Sequence, residues 1–305
     1  MGTPEFALPS LEILINDSDF EILAVVSKED KKVGRSQTLT PPPVKTMALN
    51  HGIPVLQPEK IRDNKDFYQL LKKLEPDFIV VVNFGHILPK NILDLPKHGC
   101  INVHPSLLPK YRGTSPYVET LLQGDTETGV SIIKMEEKFD SGDIYLVKKL
   151  AVDPQDNAHT LGAKLFLMGA QMLPEVMKEI VETGLRGIPQ NENNATYCGK
   201  ISKEDGLINI QTMTAEETIR HIRAYTPWPS TWLMLNGKRL KLINAEVDTS
   251  RRADPGQVVH LSKTSIGFGT KEGLLIPKIV QMEGKSAMSI ETFLAGNRGI
   301  FEEKK

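Results

Sequence analysis

The chain has 305 residues, 40% of them hydrophobic and 25% charged, and a formal net charge of −1. That length has room for two domains, and that balance is ordinary for a water-soluble globular protein; it excludes a polybasic arm, an acidic disordered chain and a bundle of membrane spans. Cys100 and Cys198 are the only cysteines, too few for a disulfide framework. No cysteine–histidine spacing suggests zinc, and no Walker or GxGxxG run suggests a phosphate cradle, so no metal is expected.

The elements alternate along the chain. Residues 2–16, GTPEFALPSLEILIN, predict a loop entering a helix, with Thr3 as its cap, Pro4 in its first turn, and Leu11, Leu14 and Ile15 on one face. Glu21 to Ser27 predicts a buried strand. Residues 28–43 are polar, carry glycine and prolines, and predict a long surface loop of the kind that carries function. A short helix over 44–50, a short strand over 54–57 and a helix over 65–74 follow. Phe78 to Asn83 is a run of apolar β-formers, as in a strand covered on both faces. Further strands are expected over 100–104, 130–135 and 144–150, with helices over 115–123 and 160–183. This alternation predicts an α/β domain built on a doubly wound, mostly parallel sheet over residues 1–183. Residues 184–206 are polar and rich in asparagine, and predict a linker. Residues 207–305 then show a helix at 214–225 and short strands with turns. Asn236-Gly237 between two apolar runs signals a hairpin, and the spacing suggests a small OB-like β-barrel. By charge, residues 1–200 carry about −4 and residues 201–305 about +3, a weak bias of the second part toward an anionic partner.

The most informative stretch is CINVHPSLLPKYRG, residues 100–113. On a strand, Asn102 and His104 share one face while Ile101 and Val103 take the other. A second run, FDSGDI at 139–144, offers Asp140 at what reads as a successive strand end. Singly, an asparagine before a turn is a local hydrogen-bonder, a lone histidine is structural, and an aspartate before Ser-Gly is a turn residue. Together, an amide, an imidazole and a carboxylate suit acyl transfer.

These runs, with GTPEFA at 2–7, GRSQTLTPPPVK at 34–45, IRAYTPWP at 222–229 and MEGKSAMSIETFL at 282–294, make nearly the whole chain resemble the methionyl-tRNA formyltransferases. The resemblance implies a reaction: the formyl group of 10-formyltetrahydrofolate passes to the α-amine of methionyl initiator tRNA in the cytoplasm. It implies Asn102, His104 and Asp140 as the catalytic trio. It places the folate co-substrate against Phe84, Gly85, Ile87, Leu88 and Glu137. It places the tRNA acceptor end near Arg35 and near Ser106, Leu107, Leu108 and Pro109, and assigns tRNA phosphates to Arg220, Arg223, Lys238, Arg239 and Lys241. A monomer with no membrane partner is expected. Two departures stand out. Gln37-Thr38 replaces a Lys-Lys pair frequent in the family, which removes phosphate contacts. The family also opens with a short apolar strand before GTPEFA, whereas here Met1 precedes Gly2 directly, so an upstream start or a sheet lacking a central strand is expected. The rival expectations are a formyltransferase of the same fold acting on a sugar-nucleotide amine or on glycinamide ribonucleotide, and a non-catalytic RNA-binding protein. The second domain speaks against the purine enzyme, and the early loop and TPWP against the sugar enzyme. The complete trio speaks against a non-catalytic protein.

Overall fold

The computed structural model describes residues 1–34, 36–297 and 299–301. The chain forms two compact units. Met1–Pro116, Glu127–Val152 and Gly162–Gly199 make the first; Tyr117–Thr126, Asp153–Leu161 and the chain from Lys200 make the second. This differs from a division at 183 and 207: the end of the expected linker belongs to the second unit, but residues 184–199 belong to the first.

In chain order, the first unit carries α1 (Leu8–Asn16), β1 (Val25–Val26), β2 (Lys31–Val33), β3 (Thr38–Thr40), α2 (Pro43–Asn50), β4 (Val55–Leu56), α3 (Lys65–Leu74), β5 (Ile79–Val81), α4 (Lys90–Leu93), β6 (Cys100–His104) and β7 (Arg112–Gly113). After α5 (Pro116–Gln123) come β8 (Glu127–Lys134), β9 (Ile144–Ala151), α6 (Ala158–Thr183) and β10 (Tyr197–Cys198). Thr3 does not cap α1; its hydroxyl donates to the Phe84 carbonyl and accepts from Lys28 N–H, and Pro9 sits in the helix's first turn. The long loop after β1 contains an exposed antiparallel hairpin, β2–β3.

The main sheet has the order β5-β6-β8-β9, and β1 pairs β4 in parallel. β5 and β6 are parallel, but β6–β8 and β8–β9 are antiparallel. The parallel character therefore stops at β6. For β8 and β9 the reason is local: the connection between them is too short for a parallel crossover and closes as a hairpin, with Lys134 N–H donating to the Asp143 carbonyl at 2.9 Å.

Residues Met1 and Gly2 lie between β1 and β5. Gly2 N–H donates to Val26 O at 3.0 Å, and Val82 N–H donates to Met1 O at 2.9 Å. The expected gap is thus bridged at this end of the sheet. Toward its other end, beside residues 21–24, lies a cavity of about 590 Å³ lined by Leu14, Ile22, Val25, Ile79, Val80 and Met177. Strand Glu21 to Ser27 shrinks to Val25–Val26 because only those residues find a regular ladder partner.

The second unit, after Lys200, carries α7 (Ala215–Ala224), β11 (Thr231–Leu235), β12 (Lys238–Asp248), β13 (Val258–Ser262), β14 (Ser265–Gly269), β15 (Leu274–Met282), β16 (Met288–Ser289) and α8 (Ile290–Gly296). Thr214 and Glu217 close a capping box on α7. The strands form one antiparallel sheet ordered β11-β12-β15-β14-β13, with β16 beside β15. The Asn236-Gly237 hairpin forms as expected, both residues at positive φ (49° and 77°). Register shifts near Asn244 bend β12, and the sheet wraps a core that includes Leu240, Leu242, Ile266, Leu275 and Phe293. Among the described residues, no helix is long and apolar enough to cross a membrane.

In the first unit, α6 crosses the sheet at Gly169, where a Cβ would overlap Val103 Cγ1 and stand 3.0 Å from Val130 Cγ1. Alanine there gains about 1 kcal/mol of helix propensity, but overpacking costs about 1–3 kcal/mol, and with β-branched neighbours in a closed core the second effect wins. Gly169→Ala is expected to lower the melting temperature by several degrees; an unchanged or raised value by calorimetry would show that α6 can slide away.

Candidate active site

Strand β6 supplies the first two groups. Ile101 and Val103 are 0% and 2% exposed and hold one face in the core, so Asn102 and His104 share the other. The third group arrives differently from the expectation of successive strand ends. Because β8 runs antiparallel to β6, the loop after it leaves beside Cys100, where Met135 N–H donates to Cys100 O. It then returns toward the face that carries Asn102 and His104, with Asp140 at φ +48°.

There the three side chains meet. Asn102 Nδ2 donates to Asp140 Oδ1 at 3.4 Å, a long bond. His104 Nδ1 stands 3.6 Å from Asp140 Oδ2, beyond hydrogen-bond range, with both side chains nearly buried. Asp140 Oδ2 accepts from Gly113 N–H at 2.9 Å. His104 Nε2 lies 3.0 Å from the Tyr111 carbonyl. A carbonyl only accepts, so Nε2 carries hydrogen and Nδ1 is the nitrogen facing the carboxylate. Two residues of one tripeptide, Tyr111 and Gly113, therefore hold the imidazole and the carboxylate through their backbones.

The residue between them is Arg112. Its guanidinium is 0% exposed. It donates to Gln190 Oε1 through Nε (3.0 Å) and Nη2 (2.8 Å), and to Glu192 through Nη1 (3.2 Å) and Nη2 (2.7 Å). The Arg112 guanidinium, and then the Lys138 ammonium, draw the Glu192 carboxyl down to about 2. β10 pairs β7 in parallel, Arg112 N–H donates to Thr196 O, and Tyr111 N–H donates to Thr196 Oγ1. The expected linker is thus a strap over residues 188–198, stitched to the site. The signal available in the sequence was Thr196-Tyr197-Cys198, a short β-type run inside a polar stretch.

The other candidate residues fall into two groups. Phe84 and Leu88 are buried in the core cluster behind the sheet, so their side chains hold the fold. Ile87 is 63% exposed, and Gly85 and Glu137 are exposed. Burial, and then the Lys28 ammonium, hold the His86 imidazole beside them below its ordinary pKa. Of the SLLP run, Ser106 and Leu108 are buried, while Leu107 and Pro109 are half-buried. In the second unit, Arg220 Nε donates to Leu122 O at 3.0 Å, and Arg223 donates to Asp156 O and Asp153 O at 2.6 and 2.9 Å. Both guanidiniums thus hold loops of their own unit. Arg239 and Lys241 share the outer face of the hairpin, Arg239 stacked 4.6 Å from the Trp232 ring centre, and Lys238 is exposed at its turn. Arg35 lies outside the described residues.

A family model described as "Formyl transferase" matches residues 2–177, and one described as "Formyl transferase, C-terminal domain" matches residues 200–298. The methionyl-tRNA formyltransferase of Bacillus pumilus is 44% identical over 97% of this chain and 93% of its own. That of Bacillus subtilis is 42% identical over 97% and 93%. The chain belongs to the methionyl-tRNA formyltransferase family. Solved structures extend the likeness in fold. WlaRD, a sugar 3N-formyltransferase solved with dTDP and 5-N-formyl-tetrahydrofolate, superposes with a TM-score of 0.66 at 19% identity over 93% of this chain and 97% of its own. HypX from Aquifex aeolicus, solved with tetrahydrofolic acid, gives 0.62 at 14% over 93% and 48%.

The loop after His104 is held from below by Ser131, whose hydroxyl donates to Ser106 O at 2.8 Å and accepts from Leu108 N–H at 3.1 Å. All three residues are buried. Ser131→Ala leaves a buried donor and a buried acceptor without this partner and is expected to destabilise by about 1–3 kcal/mol. A urea midpoint equal to that of the unaltered protein would show that the loop finds other partners.

Proposed function

We propose that Asn102, His104 and Asp140 carry formyl transfer from 10-formyltetrahydrofolate to the α-amine of methionine esterified to initiator tRNA. The observation that carries the assignment is the meeting of an amide, an imidazole and a carboxylate on one face, in a chain 44% identical to a methionyl-tRNA formyltransferase over 97% of its length.

The chemistry assigns each role. The neutral amine attacks the formyl carbon, a C–N bond forms, and the carbonyl oxygen becomes an oxyanion. The Asn102 amide has two hydrogens, and the long contact with Asp140 engages one, so the amide can turn a donor to that oxygen. The amine then sheds a proton, the bond to N10 of tetrahydrofolate breaks, and N10 gains a proton. The Nδ1 edge of His104 and the Asp140 carboxylate can relay that proton, because one proton is shared between them when they close from 3.6 Å. The pterin would lie against exposed Ile87 and the Gly85 and Glu137 backbone, where an apolar wall meets exposed main chain. The exposed β2–β3 hairpin would meet the acceptor end, and Lys238, Arg239 and Lys241 would meet phosphates farther along.

The deciding experiment offers 10-formyltetrahydrofolate with initiator and elongator methionyl-tRNA. Formylation of the initiator in preference is expected; turnover of a sugar-nucleotide amine with neither tRNA touched would refute the reading. His104→Ala and Asp140→Ala are each expected to lower kcat on the order of a hundredfold or more with unchanged circular dichroism. A folded variant with near-normal turnover would remove that residue from the mechanism. Arg239→Ala is expected to raise the KM for tRNA, leave the KM for folate alone, and flatten the log–log salt dependence of tRNA binding by about one unit. An unchanged salt slope would place the phosphate elsewhere.

A further inference from the structure

The strap over residues 188–198 has a polar centre that the formyl-transfer roles leave unexplained. Gln190 is half-buried and uses its whole amide. Its Oε1 accepts twice from the buried Arg112 guanidinium. Its Nε2 donates to the Asp140 carbonyl at 2.9 Å and to the Gly142 carbonyl at 2.7 Å. Those two carbonyls flank the turn that holds Asp140 at φ +48°, a left-handed conformation that a non-glycine residue keeps only when its surroundings impose it. The strap is anchored on either side. Ile188 and Ile144 exchange both backbone hydrogen bonds at 2.8 and 2.9 Å, and Tyr197-Cys198 pairs with Arg112-Gly113. Arg112 also fixes which way the amide points: a guanidinium has only donors, so the oxygen must face it and the nitrogen must face the loop.

We propose that Gln190, oriented by Arg112, is a positioning residue that sets the main chain of the Asp140 loop and so the distance of the Asp140 carboxylate from His104 and Asn102. The proposal rests on the catalytic reading of Asp140. Its competitor is a purely structural one, in which Gln190 only satisfies the buried Arg112 charge.

Gln190→Glu separates the two. A carboxylate accepts from Arg112 at least as well as an amide does, so the structural role survives. It cannot donate to the two carbonyls, so the positioning role is lost. Misplacement of a reacting group by about 1 Å can cost a hundredfold. The expected result for Gln190→Glu is a kcat about ten- to a hundredfold lower, KM values for folate and tRNA within about threefold, and a preserved melting temperature. Gln190→Met removes the acceptor as well as the donors, so should the carboxylate variant not fold it is read only through the double-variant comparison with Asp140→Ala, where a loss acting through Asp140 is expected not to add. Gln190→Glu is then combined with Asp140→Ala and followed in single turnovers. Acting through Asp140, Gln190→Glu should add no further loss in that background. A folded Gln190→Glu protein with wild-type kcat, or losses that multiply in the double variant, would overturn the proposal. Near-normal turnover of Asp140→Ala alone would instead overturn the catalytic reading, so the two failures are distinguishable.

Discussion

One buried cation organises the first unit's active face. The Arg112 guanidinium has no exposed surface, and a charge in that position must be matched by hydrogen bonds and an opposite charge. Gln190 and Glu192 provide both. Because these residues lie about eighty positions further along the chain, the pairing draws the 188–198 segment onto the loop after β6. Removing either partner would leave the buried guanidinium less well matched, so the strap is held more firmly than its polar composition suggests. Glu192 is itself half exposed, which reduces its share of that hold and leaves Gln190 as the more enclosed partner.

The consequence is that a tripeptide at the short β7–β10 pairing holds the imidazole and the carboxylate. Tyr111 O fixes the His104 ring, Gly113 N–H fixes the Asp140 carboxylate, and the side chain between them reaches the main chain of Asp140 through Gln190. A Cβ on Gly113 would run into the Cys198 carbonyl, so glycine is needed there for the close approach of β10 as well as for its φ of +134°. Packing of the strap and aim of the carboxylate are therefore one constraint.

What the sequence made legible follows from periodicity and turn chemistry. Asn102 and His104 share a face because strand side chains alternate, and Asn236-Gly237 turns because both residues tolerate positive φ. What stayed hidden lacks a period. The antiparallel turn from β8 to β9 depends on loop length and hydrogen bonding rather than on apolar pattern. The strap depends on polar side chains meeting across a long sequence separation, and polar residues without apolar spacing read as a linker. Arg220 and Arg223 illustrate the converse: basic residues on a helix read as a phosphate surface, yet their donors close on carbonyls of their own unit. At the Lys238–Lys241 edge, by contrast, Trp232 stacks under Arg239.

The geometry also bears on where the transferred proton travels. Formyl transfer to an amine releases one proton from the nucleophile and requires one at the leaving nitrogen, so the site needs a carrier and not a net source. With Nε2–H committed to the Tyr111 carbonyl, the imidazole can exchange protons only at Nδ1. That nitrogen faces Asp140 Oδ2 at 3.6 Å, while Oδ2 is already bonded to Gly113 N–H. A shift of a few tenths of an ångström in the Asp140 loop would bring the two groups within hydrogen-bond range. Fixing that loop from behind, rather than through the side chains that must exchange protons, leaves Asn102, Nδ1 and the carboxylate free to respond to the reacting atoms.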